Sequence, residues 1–373
     1  YSKQDNEEAS ADNWLVYPAN NYYDVDSYLG SIIDIEALDT YKVLVRCENG
    51  SLVFNAYDTL QLAQTSVTVG TGGMFAQRPQ TFAETDTGYA GSQSKYAINT
   101  SQYGTFFPEF KRGRVFHYSG QLEEISNNGM FDWFQENMKF KIQSQIPNVN
   151  LDNPFTGIGY NSIYDNRLNL WFLTKKDYKL KNTKELGNIT LDENNNILYK
   201  GKPANFLDNK IWKNVGWTIS YSPLYKAWIS FHSFQPNYFI SGIENFYTGL
   251  QDGVVYKHWD KFSFQTYYKK LHPFEIMITT SKEELTSILQ SIEYNLKIQK
   301  YLNNNYQDLY ENHKVNFNKA IVSTDNQSSG LLNLIKKDNQ NPYQSLQYPK
   351  LNIDSVDVLY SKIEGHKYRI NQF

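Results

Sequence analysis

Residues Ser162 to Thr174 read SIYDNRLNLWFLT, and residues Thr218 to Ser230 read TISYSPLYKAWIS. Each stretch is a short apolar strand closing on a tyrosine, a polar turn of four or five residues, and a second strand with a central tryptophan. Tyr164 and Tyr221 stand 57 residues apart. Between the two lies Asn188 to Lys200, NITLDENNNILYK, a further hairpin turning in the Asp192–Asn196 run. Antiparallel hairpins returning at such intervals predict propeller blades of about four strands each.

The same pattern extends outward in both directions. Tyr41 to Cys47 and Ser51 to Tyr57 flank Asn49-Gly50, and tight hairpin turns favour Asn-Gly because they need positive φ. Arg114 to Ile125 predicts a hairpin turning at Ser119-Gly120, and Tyr238 to Tyr247 and Val254 to Trp259 predict strands about a Gln251-Asp252-Gly253 turn. Gly70 to Ser94, poor in large apolar residues, reads as long loops, and Gly129 to Met138 as a short helix. Farther on, Ile292, Tyr294, Leu296 and Ile298 alternate with polar residues, so a strand is expected from about Ser291 to Tyr301, after at most one helical turn at Glu283–Leu289. Phe274, Ile276 and Ile278 alternate in the same way, and the chain stops on a strand-like run from Tyr368. The expected architecture is mainly β: an N-terminal arm and lead-in over 1–39, β-propeller-like blades of antiparallel hairpins over 40–270, and an additional C-terminal β region over 271–373. The first residue, Tyr1, and the abrupt end suggest a segment of a longer protein.

Composition supports the β reading. The 373 residues include 30 Tyr, 22 Phe and 7 Trp, types that suit a pleated, half-buried surface. A net charge of −3 excludes nucleic-acid binding by bulk electrostatics. No apolar run approaches the roughly 18 residues of a membrane-spanning helix. The single cysteine, Cys47, excludes an intrachain disulfide and any multi-cysteine metal site.

Candidate chemistry is thin. Cys47 ends an apolar run and reads as a packed core thiol. His117, His232, His258, His272, His313 and His366 never fall two or four residues apart, the spacing that would set two ligands on one face of a strand or helix. Asp192-x-Asn194-x-Asn196 mimics the start of a calcium loop, but Ile197 stands where that loop needs glycine and Pro203 where it needs the bidentate glutamate. Gly70-Thr71-Gly72-Gly73 lacks the lysine of a phosphate loop. Glycosidase chemistry needs two facing carboxylates; Glu123-Glu124, Asp132 with Glu136, and Glu283-Glu284 are available, but neighbours on one strand point to opposite faces. Lys111-Arg112-Gly113-Arg114 is the one dense basic cluster, read as a solvated hairpin entry with a phosphate or subunit contact as the alternative. The run Tyr221, Tyr225, Trp228, Phe231, Phe234, Tyr238 and Phe239 reads as core and inter-blade packing. No catalytic residue, cofactor or metal is expected.

Several phrases, in order, resemble a known family. They are Gly88-Tyr89-Ala90-Gly91-Ser92-Gln93, Ile98-Asn99-Thr100, Tyr103-Gly104-Thr105-Phe106, Lys111 to Phe116, Glu124-Ile125-Ser126, Gly129 to Phe134, Phe155 to Gly159, Leu173 to Tyr178 and Phe234 to Tyr238. From about Thr40 onward the chain resembles the muzzle, or stabilisation, protein of crAss-like bacteriophages, similar in role to tail nozzle proteins. The resemblance implies a non-enzymatic virion protein at the distal tail, made in the bacterial host cytoplasm and containing a β-propeller. It implies a homo-oligomer, a sixfold ring around the DNA exit channel, acting in tail assembly, genome retention and delivery. Its partners would be other tail proteins and a second fragment of the same precursor, with genomic DNA passing through unread. The alternatives are a receptor- or glycan-binding tail module, using exposed Tyr and Trp, and a glycan-cleaving enzyme.

Overall fold

The structure, a computed structural model, describes residues 16, 19, 22–39, 41–62, 65–70, 75, 77–83, 85–243, 245–259, 265–279, 291–294, 299–302, 305–308, 317–324, 328–336, 358–364 and 367–371. It is mainly β, 41% strand against 10% helix, and its sheets are built largely of antiparallel pairs. It divides into two compact units, Tyr1–Pro273 and Phe274–Phe373.

In the first unit β1 (Ile32–Asp39), β2 (Lys42–Cys47) and β3 (Ser51–Asn55) form a meander. β4 (Tyr57–Leu62) and β5 (Thr65–Gly70) make a separate hairpin, and β6 (Gln80–Thr81) returns to complete the first sheet beside β3. The second sheet is β7 (Asn99–Ser101), β8 (Gly104–Glu109), β9 (Arg114–Tyr118) and β10 (Leu122–Glu124), followed by helix α1 (Phe131–Asn137). The third sheet opens with β11 (Gly159–Asp165) and β12 (Leu170–Lys176). An excursion follows: β13 (Tyr178–Leu180), then a small sheet of β14 (Ile189–Leu191), β15 (Ile197–Tyr199) and β16 (Lys202–Pro203), then β17 (Trp212–Asn214) pairing back on β13. β18 (Trp217–Ser222) and β19 (Ala227–His232) complete the third sheet, in the order β11-β12-β18-β19. The fourth sheet is β20 (Tyr238–Ile240), β21 (Tyr247–Gly249) and β22 (Val255–Lys257), and β23 (Thr266–Tyr267) pairs with β24 (Lys270–Leu271).

The two hairpins that opened the sequence reading therefore share one sheet. Trp171 pairs with Tyr221 and Leu173 with Ile219 across β12 and β18, so the 57-residue spacing measures the excursion between two halves of a sheet and not a step from one blade to the next. The similarity has a local cause on one face: Tyr164 and Trp171 of the first half and Tyr221 and Trp228 of the second all pack into the core shared with the second sheet.

The four sheets pack in series in chain order. Phe107 and Phe116 join Leu44 and Val53 of the first sheet. Phe106 and Val115, on the other face of the second, join Tyr164, Trp171 and Leu173 of the third. Ile163 and Phe172, on the far face of the third, meet Phe234 and Phe246 near the fourth. Side chains alternate along a strand, so adjacent phenylalanines serve two cores. This explains the continuous apolar runs: a strand covered on both faces has no polar side to display.

The structure places the 41–57, 114–125 and 188–200 hairpins and the helix as expected, and adds the β4–β5 hairpin over a stretch for which the sequence predicted no element. Phe274, Ile276, Met277 and Ile278 are exposed and unladdered despite their alternation, because period two without a partner strand makes no sheet.

In the second unit β25 (Ser291–Tyr294), β26 (Gln299–Leu302), β27 (Asn305–Asp308), β28 (Lys319–Ala320), β29 (Leu332–Lys336), β30 (Val358–Glu364) and β31 (Lys367–Asn371) follow in order. They form a five-stranded sheet, β25-β31-β30-β29-β28, and the β26–β27 hairpin. β29 and β30 pair in parallel. The expected strand Ser291–Tyr301 is thus two strands whose connecting residues lie outside the described ones, as does the Glu283–Leu289 turn.

Candidate functional site

The basic cluster occupies the β8–β9 turn, where Gly113 takes a positive φ of 66°. Its three cations keep contact with solvent, yet each is paired with a carboxylate. Lys111 pairs with Glu48 at 2.5 Å and reaches Asn49 at 3.2 Å. Arg112 pairs with the buried Glu109 and donates to the carbonyls of Thr87, at 2.7 Å, and Asn49. Arg114 pairs with Glu124 at 2.5 Å. The Gly88-Tyr89-Ala90-Gly91-Ser92-Gln93 phrase passes under the Glu48-Asn49-Gly50 turn so closely that a Cβ at Gly88 or Gly91 would meet its backbone at 2.4 or 2.5 Å. Gln93 donates to the Glu48 carbonyl. Three phrases separate in sequence thus build one clamp between the first and second sheets.

Glu109 shows how tight that clamp is. Burial pushes its carboxyl up to about 7, outweighing the attraction of Arg112, and its Oε2 has no hydrogen-bond partner among the described residues. Nearby, Arg46 is fully buried over the Phe107 ring, pairs with Asp34 and with Glu36 at 2.5 Å, and donates to Thr105 at 3.2 Å. Because Glu36 also accepts from Thr100 on β7, the group ties β1 and β2 to the second sheet.

A second set lies around Leu173-Thr174-Lys175-Lys176-Asp177-Tyr178. Lys175 pairs with Asp177 at 2.8 Å, both buried, and donates to the carbonyls of Asn137 and Lys139. The Asp177 carboxylate also accepts from the amides of Lys141, Ile142 and Tyr178. One residue along, Lys176 faces the other way and donates to the Gln235 carbonyl at 2.9 Å. It has no ion pair among the described residues, and burial pushes its ammonium down to about 7. Gln235 in turn donates to Gly216, and Asn161 holds the carbonyls of Pro236 and Asn237.

The remaining candidates are structural in their contacts. His117 bonds the Tyr103 carbonyl and stacks on Phe106. His232 and His258 sit among Phe172, Phe234 and Phe246, bonded to Ser220 and Thr248, and burial pushes both imidazoles down to about 4. Cys47 is fully buried, and desolvation raises its thiol to about 11, away from nucleophilic use. Asp192 accepts from the amides of Asn194 and Asn196 within its turn. Glu123 meets Lys226 and His117 while Glu124 meets Arg114, Ser126 and Tyr89, so these neighbours face different partners. Asp132 and Glu136 are exposed on α1. Glu283, Glu284, His313, His366 and 71–74 lie outside the described residues. Of the aromatic run, Tyr221 is buried and Trp228 packs on the core, but Tyr225 and Phe231 are exposed. No three His, Cys, Asp or Glu among the described residues stand where they could hold a metal.

Sequence reading passed over Arg46, Glu109, Lys175 and Lys176. A signal was there: a charge inside an apolar strand run, as in Val45-Arg46-Cys47, must find a partner once both faces are covered.

Stacked antiparallel sheets, fastened by buried ion pairs where the distinctive phrases meet, define a β-structural protein. Residues 1–250 match the family described as the Crassvirus muzzle protein. The match covers two thirds of the chain, which therefore belongs to that family, structural proteins of the crAss-like phage virion. No curated protein matches it.

Proposed function

We propose that the chain forms part of a ring at the distal phage tail, around the DNA exit channel, and acts in tail assembly, genome retention and delivery. The observation that carries this reading is the uninterrupted series of sheets, each interior layer filled on both faces and locked by buried charges. Such packing has low compressibility, which suits a wall bearing internal pressure. The near-neutral charge of −3 lets DNA slide where a basic wall would hold phosphates. Serial sheets of three or four strands also resemble the blades of a propeller, and we read the first unit as propeller-like on that ground. The other tail proteins, and a second fragment of the same precursor, are the proposed partners; synthesis is in the host cytoplasm. The test is native mass with negative-stain imaging of the chain. A sixfold ring with an axial hole wide enough for duplex DNA is expected. A monomer that instead binds host-surface glycans would replace this reading with the receptor-binding one.

A further inference from the structure

The hairpin that closes the first unit is fastened by a relay of buried hydroxyls. β23 and β24 turn at Tyr268 and Lys269, both at positive φ, 52° and 64°, the dihedral signs of a tight hairpin turn. The hairpin lays Tyr267 and Tyr268 against the core of Phe234 and Phe246. Tyr268 donates its hydroxyl to Thr248 Oγ1 on β21 at 3.2 Å, and the same oxygen lies 2.7 Å from His258 Nε2. Thr248 is fully buried. A hydroxyl that accepts from Tyr268 still has its own proton to place, and Nε2 of a neutral imidazole takes it. A proton on Nε2 would remove that acceptor and leave a buried donor unpaired. Tyr267 stacks along the His258 ring at 6.0 Å and packs on Phe234 at 5.3 Å, while Tyr268 meets Tyr256 edge-on at 4.9 Å.

The groups around the imidazole do not compensate a proton on it. His232 approaches from β19 across Phe234, 5.0 Å from that ring against 4.7 Å for His258, and its charge would oppose a second one. His272 lies beyond Tyr267, and Lys257, Lys269 and Lys270 are exposed cations. On the third sheet Lys176 holds the Gln235 carbonyl, and the Asp165 carboxylate takes the Trp259 indole N–H at 2.8 Å and the Arg167 amide. Asp252 bonds the Tyr256 hydroxyl at 3.3 Å. Both carboxylates therefore have partners other than His258. Burial keeps Tyr267 and Tyr268 neutral and pushes the His258 imidazole down to about 4.

We propose that the β23–β24 hairpin is an acid-released strap: protonation of His258 breaks the relay and lifts Tyr267 and Tyr268 off the fourth sheet while the first three sheets stay folded. The strap is the weak element because each of its strands is only two residues long, and segments with few bonds open well before the whole fold does. Pro273 ends the first unit, so release adds the hairpin to the tether that leads to Phe274. The sign follows from burial. Strapped, the ring binds protons poorly; wetted on release, it returns toward its ordinary 6.5. Protons then favour the released form, increasingly as pH falls from 6.5 toward 4. This device does not depend on the ring reading above.

The test is hydrogen exchange read by mass spectrometry on the full chain at pH 7.5 and pH 5, corrected for the intrinsic effect of pH on exchange. Peptides over 265–272 should open about tenfold more often at pH 5, while peptides over 105–118 keep their protection. His258→Gln should abolish the difference, and His232→Gln should keep it. Tyr268→Phe leaves the imidazole in place and frees the Thr248 oxygen to accept from a protonated ring, so it should shrink the difference. Exchange that is alike at both pH values, a response that survives His258→Gln, or loss of protection across all sheets together at pH 5 overturns the strap. Should His258→Gln not fold, an undiminished response in Tyr268→Phe overturns it equally.

Discussion

The junction between the first and second sheets and the junction between the third sheet and the aromatic layer beyond it are both apolar at the centre, but among the described residues only the first also carries a buried charge held by carboxylates. The first adds charge to an apolar core: Leu44 and Val53 pack on Phe107 and Phe116, while Arg46, held by Asp34 and Glu36, donates to Thr105, and Lys111 pairs with Glu48 across the two sheets. The second is neutral: Phe172, Phe234 and Phe246 packed around His232 and His258. The difference teaches what each layer can tolerate. Aromatic packing holds by area and shape, whereas a buried charge holds only while its partner stays in place.

The largest way to break the comparison is truncation at each junction. Phe234→Ala should cost about 3–5 kcal/mol through the cavity it leaves. Arg46→Ala should cost about 3 kcal/mol by leaving two carboxylates facing a covered core, somewhat less than a fully buried pair because Asp34 is partly exposed. Denaturant melts of both variants check the pair, and equal tolerance of Arg46→Ala and a surface lysine change would refute the ionic account.

Acidity separates the junctions next. His232 and His258 are depressed to about 4 from an ordinary 6.5, so the unfolded chain takes up protons first. Their contribution is present above 6.5 and is lost as pH falls from there through 4. Glu109 is raised from 4.5 to about 7, so its contribution has the opposite sign, present below 4.5 and lost as pH rises through 7. Melting temperatures between pH 4 and 7.5 should therefore fall more steeply toward acid in Glu109→Gln than in the wild type, and less steeply in His232→Gln. Parallel profiles would show that neither group titrates with folding.

Adjacent lysines give a smaller and sharper contrast. Lys175→Met strands Asp177, still held by three backbone amides, and should cost about 3 kcal/mol, whereas Lys176→Met removes an unpaired buried amine and should be neutral or stabilising by up to about 1 kcal/mol at pH 7. The wild type should also gain stability as pH rises from 7 toward 10.5, as the unfolded chain holds the Lys176 proton longer; Lys176→Met should lose that gain. The smallest effect expected is Tyr89→Phe, which loses a 3.2 Å bond to a carboxylate already held by Arg114, about 0.5 kcal/mol.

Much of this was legible in the chain. Ser119-Gly120 and the Asp192–Asn196 run marked their hairpins because a turn's dihedral demands are met by two or three residues, with Gly120 and Asn195 at positive φ. Asn49-Gly50 marked its turn too, but neither φ is positive there and the glycine is needed for the close approach of Leu29 and Tyr89. The Leu173 to Tyr178 and Lys111 to Phe116 phrases marked the family, yet their meaning as fasteners was hidden, because the partners Glu48, Asn137 and Gln235 lie tens of residues away.

By itself, then, the sequence determined a β-rich chain, its tight hairpins and its family, since strand period, turn chemistry and phrase order are local properties. Only the tertiary structure decided that Trp171 pairs with Tyr221, that Phe106 and Phe107 serve different cores, and that the basic cluster is fully engaged. Those outcomes depend on which surfaces meet once long loops close, and the entropy of closure grows so slowly with loop length that spacing carries little record of the partner chosen.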